Sequence, residues 1–242
     1  MSFDKNRTDL AAAFRWAERY NWHEGIANHF SLAVNEDGSR FLINPNAVHF
    51  KHIRASNLLE LDANDPTTLD QPNAPDPTAW GLHGALHRHV PWARCALHLH
   101  PKYATVLASL ADSSLPPVDQ NAAMFYGRVL IDDGYSGLAF EEEGERICKQ
   151  FSDPQKKVMI MGNHGVMIVG PTVGDAFNTL YYFERAAENY ITALSTGQPL
   201  RVLSHNVAMK TAEEMNTQDH LTAAHLDELK RILDAEGSDY AT

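Results

Sequence analysis

Two periods of apolar residues alternate along this chain, and together they predict a sheet interleaved with helices. Leu10, Phe14 and Ala17 share one face of a first helix, with Thr8 as its expected N-cap. Gly25 ends that region, and Asn28-His29-Phe30-Ser31 leads from a turn into a strand. Strands are expected at 30–34 and 40–43, joined by the turn-rich run Asn35-Glu36-Asp37-Gly38-Ser39. Asn44-Pro45-Asn46 closes this unit. The stretch 62–77 is dense in Asp, Asn and Pro and reads as a loop. Asp76-Pro77-Thr78 then opens a helix, with a capping carboxylate and proline at the first helical position. It reaches His89 and stops at Pro91.

Residues 94–100 alternate as a strand ended by Pro101, and a helix over 102–110 follows, up to the Pro116-Pro117 turn. Val129-Leu130-Ile131 is a short strand candidate, and 141–151 a helix. Two apolar strands, 158–161 and 166–169, are joined by Gly162-Asn163-His164-Gly165. The strongest helix signal is 173–196. Thr172 caps it, Ala176, Leu180, Phe183, Ala187, Tyr190 and Leu194 form its stripe, and Gly197 and Pro199 end it. The tail from Met209 to Leu233 reads as a single polar helix. The class is α/β or α+β around a central sheet, with 1–242 as one domain and 209–242 its C-terminal helical tail.

Charge narrows the partners. Asp and Glu outnumber Lys and Arg by 31 to 20, a formal net charge of −11. Nucleic acid is not expected, because phosphate binding needs a surplus of cations. Attachment to an anionic membrane is disfavoured for the same reason, and no run of about 18 apolar residues is present to span one. Cys95 and Cys148 read as reduced thiols rather than a disulfide framework, and the polar N-terminus has no signal core, so the expected location is the cytoplasm.

His98-Leu99-His100 is the sharpest chemical feature. On a strand, the two histidines point to one face and Leu97 and Leu99 to the other. Two imidazoles on one face are half of a metal site, although the triplet alone equally fits two solvated histidines. His164 sits on a tight turn between apolar strands, which would hold a ligand rigidly. Its plain alternative is a turn histidine bonded to backbone. Three neutral imidazoles with a coordination position left open are the pattern of a catalytic metal ion.

Several segments together resemble the class II aldolase/adducin family. They are Asn28-His29-Phe30-Ser31, Phe41-Leu42-Ile43-Asn44-Pro45, Leu82-His83-Gly84-Ala85-Leu86-His87, Ala96-Leu97-His98-Leu99-His100-Pro101 and Asn163-His164-Gly165. Val169-Gly170 and a helix carrying Ala176 and Glu184 follow in the same order. The resemblance implies an α/β three-layer α/β/α sandwich with a mostly antiparallel central sheet, commonly assembled as a cyclic homotetramer with sites between subunits. It implies that His98, His100 and His164 bind a divalent metal, with zinc first and manganese, iron or cobalt as alternatives.

The departures from that family carry as much information. The acid/base glutamate of the sugar-phosphate aldolases falls at Ala79, within Pro77-Thr78-Ala79-Trp80, and alanine cannot move a proton. A phosphate-binding turn becomes Asn44-Pro45-Asn46-Ala47, and one of its paired serines becomes Pro77. The catalytic aspartate of the epimerase branch falls at Ala123. Asn28, His29, Ser31, Thr78 and Asn121 remain as substrate-binding candidates, with His83 and Tyr126 as catalytic ones. His87 and His89 are expected to be solvated, Arg128 to form a surface salt bridge with an anion-binding role as its alternative, and Glu141-Glu142-Glu143 to be a solvated helix start.

The expected function is a divalent-metal-dependent lyase for a small hydroxy-carboxylate or carbonyl compound. Decarboxylation is preferred to retro-aldol cleavage, because it needs an electron sink but no base. The alternative is a non-catalytic interaction domain like the adducin head, suggested by Ile26-Ala27-Asn28-His29-Phe30-Ser31 and Ala55-Ser56-Asn57-Leu58-Leu59.

Overall fold

The structure, a computed structural model, describes residues 4–138, 140–217 and 219–242. A seven-stranded sheet forms its middle layer. In chain order the strands are β1 (His29–Ala33), β2 (Arg40–Ile43), β3 (Leu59–Asp62), β4 (Cys95–Leu99), β5 (Val129–Asp132), β6 (Val158–Met161) and β7 (Gly165–Gly170). Across the sheet they run β3-β2-β1-β4-β7-β6-β5. Every pairing is antiparallel except β5 with β6.

The helices are α1 (Lys5–Arg19), α2 (Pro77–His89), α3 (Lys102–Ala108), α4 (Gln120–Met124), α5 (Glu141–Cys148), α6 (Val173–Ser195), α7 (His205–Met215) and α8 (Asp219–Ala235). Strand alternation divides the core in two. Phe30, Leu97, Leu99 and Ile168 pack with Phe14 of α1 and with Phe177, Leu180 and Phe183 of α6. Ala96, Met159, Met167 and Val169 face the other way, onto Leu82 and Leu86 of α2 and Ile147 of α5. This is the expected three-layer α/β/α sandwich. Close packing of α2 on α5 requires small residues, since a Cβ on Gly144 would lie 2.0 Å from the Gly81 carbonyl oxygen.

Several elements differ from the sequence expectation. α1 begins at Lys5 with the Asp4 carboxylate accepting from the Arg7 amide, so Thr8 lies inside the helix. The C-terminal tail forms two helices rather than one, with α7 starting at His205. β3 and α4, each under six residues, gave no periodic signal long enough to read. In the acidic run, Glu142 is exposed but Glu143 is half-buried and pairs with Arg146 at 2.6 Å; the Glu141 side chain lies outside the described positions. Cys95 and Cys148 are both free and buried. No helix is long and apolar enough to cross a membrane among the described residues.

Candidate metal centre

β4 ends where the site begins. His98 shares the Ala96 face of the strand, and His100 follows one residue beyond its end. His164 comes from the β6–β7 turn, and one nitrogen from each of the three rings lies within 4.8 Å of the others. That turn is held on three sides: the Gly162, Asn163 and His164 amides donate to the carbonyls of Asp132, Ala108 and Met161 at 2.8, 2.9 and 3.0 Å. Asn163 supplies the left-handed bend with φ 56°, a conformation asparagine tolerates better than most residues. Gly165 must lack a side chain, because a Cβ there would lie 2.3 Å from His100 Cδ2. The Asn-His-Gly run is thus explained residue by residue.

Two of the three rings have one nitrogen engaged in a hydrogen bond. His98 Nδ1–H donates to the Val166 carbonyl at 3.1 Å, and His100 Nδ1–H to Glu24 Oε2 at 2.6 Å. In a neutral ring bonded this way, Nε2 is the acceptor nitrogen. His100 Nε2 is buried without a hydrogen-bond partner among the described residues, and an unsatisfied buried polar atom costs roughly 1–3 kcal/mol. Burial holds the His98 pKa well below its ordinary value, and burial with the neighbouring His100 lowers that of His164 to about 4. Both rings are neutral at pH 7, the form that ligates metal. The donor set therefore fits a divalent ion.

Behind the triad runs a buried polar chain. The His29 ring lies 4.9 Å from that of His98, and its Nδ1 meets His83 Nε2 at 2.7 Å. His83 Nδ1 lies 2.5 Å from Ser31 Oγ, which in turn lies 2.8 Å from His87 Nε2. His83 is fully buried and hydrogen-bonded to His29, whose ring lies beside that of His98. His87 is not solvated as expected: it is buried and stacked on Phe41. Burial is the main cause that takes the pKa values of His83 and His87 down to about 3, so this chain is uncharged at neutral pH. His89 is exposed and pairs with Glu145 at 3.0 Å.

The other candidates are dispersed. Asn28, at φ 75°, accepts from the Glu24 amide at 2.9 Å and so shapes the loop that presents Glu24 to His100. Thr78 is engaged with the Asp76 cap at the start of α2, donating from its hydroxyl at 2.5 Å. Asn121 lies on α4. Tyr126 OH lies 3.2 Å from His205 Nδ1, and Tyr126 precedes β5 whereas His164 follows β6, whose first residues pair with those of β5. Tyr126 therefore stands at the opposite strand end from the triad of its own chain.

Two residues near the triad were not singled out from sequence, Glu24 and Tyr135, whose ring centroid is 5.7 Å from that of His164. Neither lies in a recognisable pattern. Glu184 of α6 accepts from the Tyr103 and Ala104 amides at 2.9 and 2.8 Å, anchoring α3 directly after His100-Pro101; burial pushes its pKa up to about 7. Since Glu24 orients His100, Glu24→Gln is expected to weaken metal affinity by about 10–100-fold, read by competitive chelator titration. Unchanged affinity would remove Glu24 from the site.

Known proteins share this architecture. A Caulobacter vibrioides protein with a provisional class 2 aldolase name is 30% identical over 203 residues, 84% of this chain and 77% of that one. Rat beta-adducin is 28% identical over 193 residues, 78% of this chain but 26% of the adducin. The crystal structure of an aldolase II superfamily protein from Pseudomonas syringae superposes with a TM-score of 0.87 at 32% identity, covering 98% of this chain and 95% of that one. The profile of the Class II Aldolase and Adducin N-terminal domain matches residues 8–191, and the chain belongs to that family.

Proposed function

We propose that this protein is a divalent-metal-dependent carbon–carbon lyase acting on a small hydroxy-carboxylate or carbonyl compound, with decarboxylation favoured over retro-aldol cleavage. The observation that carries this reading is the convergence of three imidazoles, one with a buried Nε2 that has no partner among the described residues. In this reading His98, His100 and His164 hold the ion. Three histidines suit zinc best, while manganese, iron or cobalt have the same donor types available. A bound divalent ion supplies Lewis acidity toward carbonyl, carboxylate and hydroxyl oxygens.

The chain's own groups have defined tasks. His29, fixed by His83, Ser31 and His87, positions the floor of the site beside His98. Asn28 shapes the Glu24 loop, and Thr78 and Asn121 are assigned to substrate binding by family position alone. Ala79 provides no carboxylate, which is why a reaction without hydroxyl deprotonation is preferred. The Tyr126–His205 pair, remote from its own triad, is assigned as proton donor in a neighbouring subunit of a homotetramer. Tyr135 is the phenol next to its own triad.

A second reading, a non-catalytic adducin-like domain, draws on the similarity to beta-adducin. Metal analysis of protein purified without chelator, followed by screening hydroxy-acids for release of carbon dioxide or aldehyde, separates the two. About one metal per chain with product release is expected; absence of both favours the interaction domain. Sedimentation is expected to give about four times the 27.0 kDa chain mass, and a stable monomer would remove the role in trans of Tyr126. No nucleic acid or membrane partner is invoked, and a cytoplasmic location suits two reduced, buried thiols.

A further inference from the structure

A cavity of about 710 Å³ lies among α4, α6, α7, α8 and the first residues of β6. That volume is within the usual range of small-molecule sites. None of the three triad histidines lines it. Arg128 and Val158 line it near the start of β5 and β6, whereas His164 follows the far end of β6. Its apolar walls include Met124, Phe125, Val158 and Leu221.

The charges around it are almost all matched. Lys157 donates to both Asp175 carboxylate oxygens at 2.9 and 2.7 Å. Glu214 faces Lys210 at 3.6 Å, and Glu228 pairs with Arg231. His225 Nδ1 bonds Asn178 Oδ1 at 2.9 Å, and burial favours its neutral form. Arg128 is the exception. Its backbone amide donates to the Phe125 carbonyl, but its guanidinium makes no hydrogen bond or ion pair among the described residues. The surface salt bridge expected for it is not formed.

A half-buried guanidinium with open donors beside an apolar cavity is a receptor for one oxyanion attached to a hydrocarbon. A dianionic phosphate fits less well, since the single unmatched positive charge would leave a negative excess near Glu214, Glu228 and Asp175. We propose that this cavity is a second ligand site, separate from the triad of the same chain, which takes an apolar monocarboxylate with its carboxylate on Arg128 and its hydrocarbon against Met124, Phe125, Val158 and Leu221. The proposal does not depend on the reaction assigned to the triad.

Octanoate, inorganic phosphate and octan-1-ol are suitable probes for calorimetric titration of the full chain. Octanoate is expected to saturate one site per chain, with the alcohol and phosphate each at least about tenfold weaker. Arg128→Gln is expected to lower octanoate affinity by about tenfold or more while leaving metal binding at the triad intact, which also shows that the variant folds. Leu221→Asp, on the α8 lining, gives the same loss by a different route and serves if Arg128→Gln does not fold. Octanoate affinity unchanged by both substitutions, abolished by His164→Ala, or absent from the native protein would overturn the proposal.

Discussion

His100→Ala and His164→Ala should each abolish stoichiometric metal binding without unfolding the protein. The two substitutions act on a site whose other parts are held independently, because His98 is fixed by the Val166 carbonyl and the turn by three backbone hydrogen bonds. Two remaining imidazoles leave the ion held mainly by water. For His100→Ala the apoprotein should be as stable as the native chain or more so, since the change removes a buried nitrogen that has no partner.

The readout is metal-dependent thermal stability. A ligand at a hundred times its Kd stabilises the folded state by about 2.7 kcal/mol. The native protein should show that gain, and the two variants should lose it. Native protein that binds none of zinc, manganese, iron or cobalt at micromolar concentration would refute the metal centre outright.

Ala79→Glu should have the second largest effect, and it separates the reaction types. Ala79 lies one turn before His83 on α2, buried at 2% exposure and packed with Phe41, Ile43 and Trp80. A carboxylate placed there without a partner should lower apoprotein stability by about 3–5 kcal/mol. A divalent ion should restore part of that loss if the new side chain reaches the triad.

Binding of an acidic substrate should fall as well. Like charges about 4 Å apart at an effective dielectric near 20 oppose one another by about 4 kcal/mol, several hundredfold in affinity. The unmodified protein is correspondingly expected not to cleave fuculose- or rhamnulose-type phosphates at useful rates. Robust cleavage of either would restore the aldolase reading and end the preference for decarboxylation.

The sequence by itself determined what depends on near neighbours. The period of two over residues 94–100 placed His98 and His100 on one face, and the structure puts Leu97 and Leu99 in the opposite core. The stripe from Ala176 to Leu194, with Thr172 as cap, predicted α6 to within one residue at its end. Asp76-Pro77 placed the start of α2 for the same local reason: a cap and a proline act within one turn. Resemblance of spaced motifs supplied the layered fold and the grouping of His164 with the other two rings.

Only the tertiary structure decided how distant residues meet. Glu24 and His100 are 76 residues apart, and His29 and His83 are 54 apart, so neither hydrogen bond leaves a periodic trace in the sequence. The same limit hid the burial of His87, which depends on Ser31 and Phe41 from other strands. Arg128 lacks its expected surface partner among the described residues, and the carboxylates that line the same cavity pair with Lys157, Lys210 and Arg231. Local pattern fixes which face a side chain takes, while packing of the layers fixes what that face touches, and here that contact turns three histidines into one site.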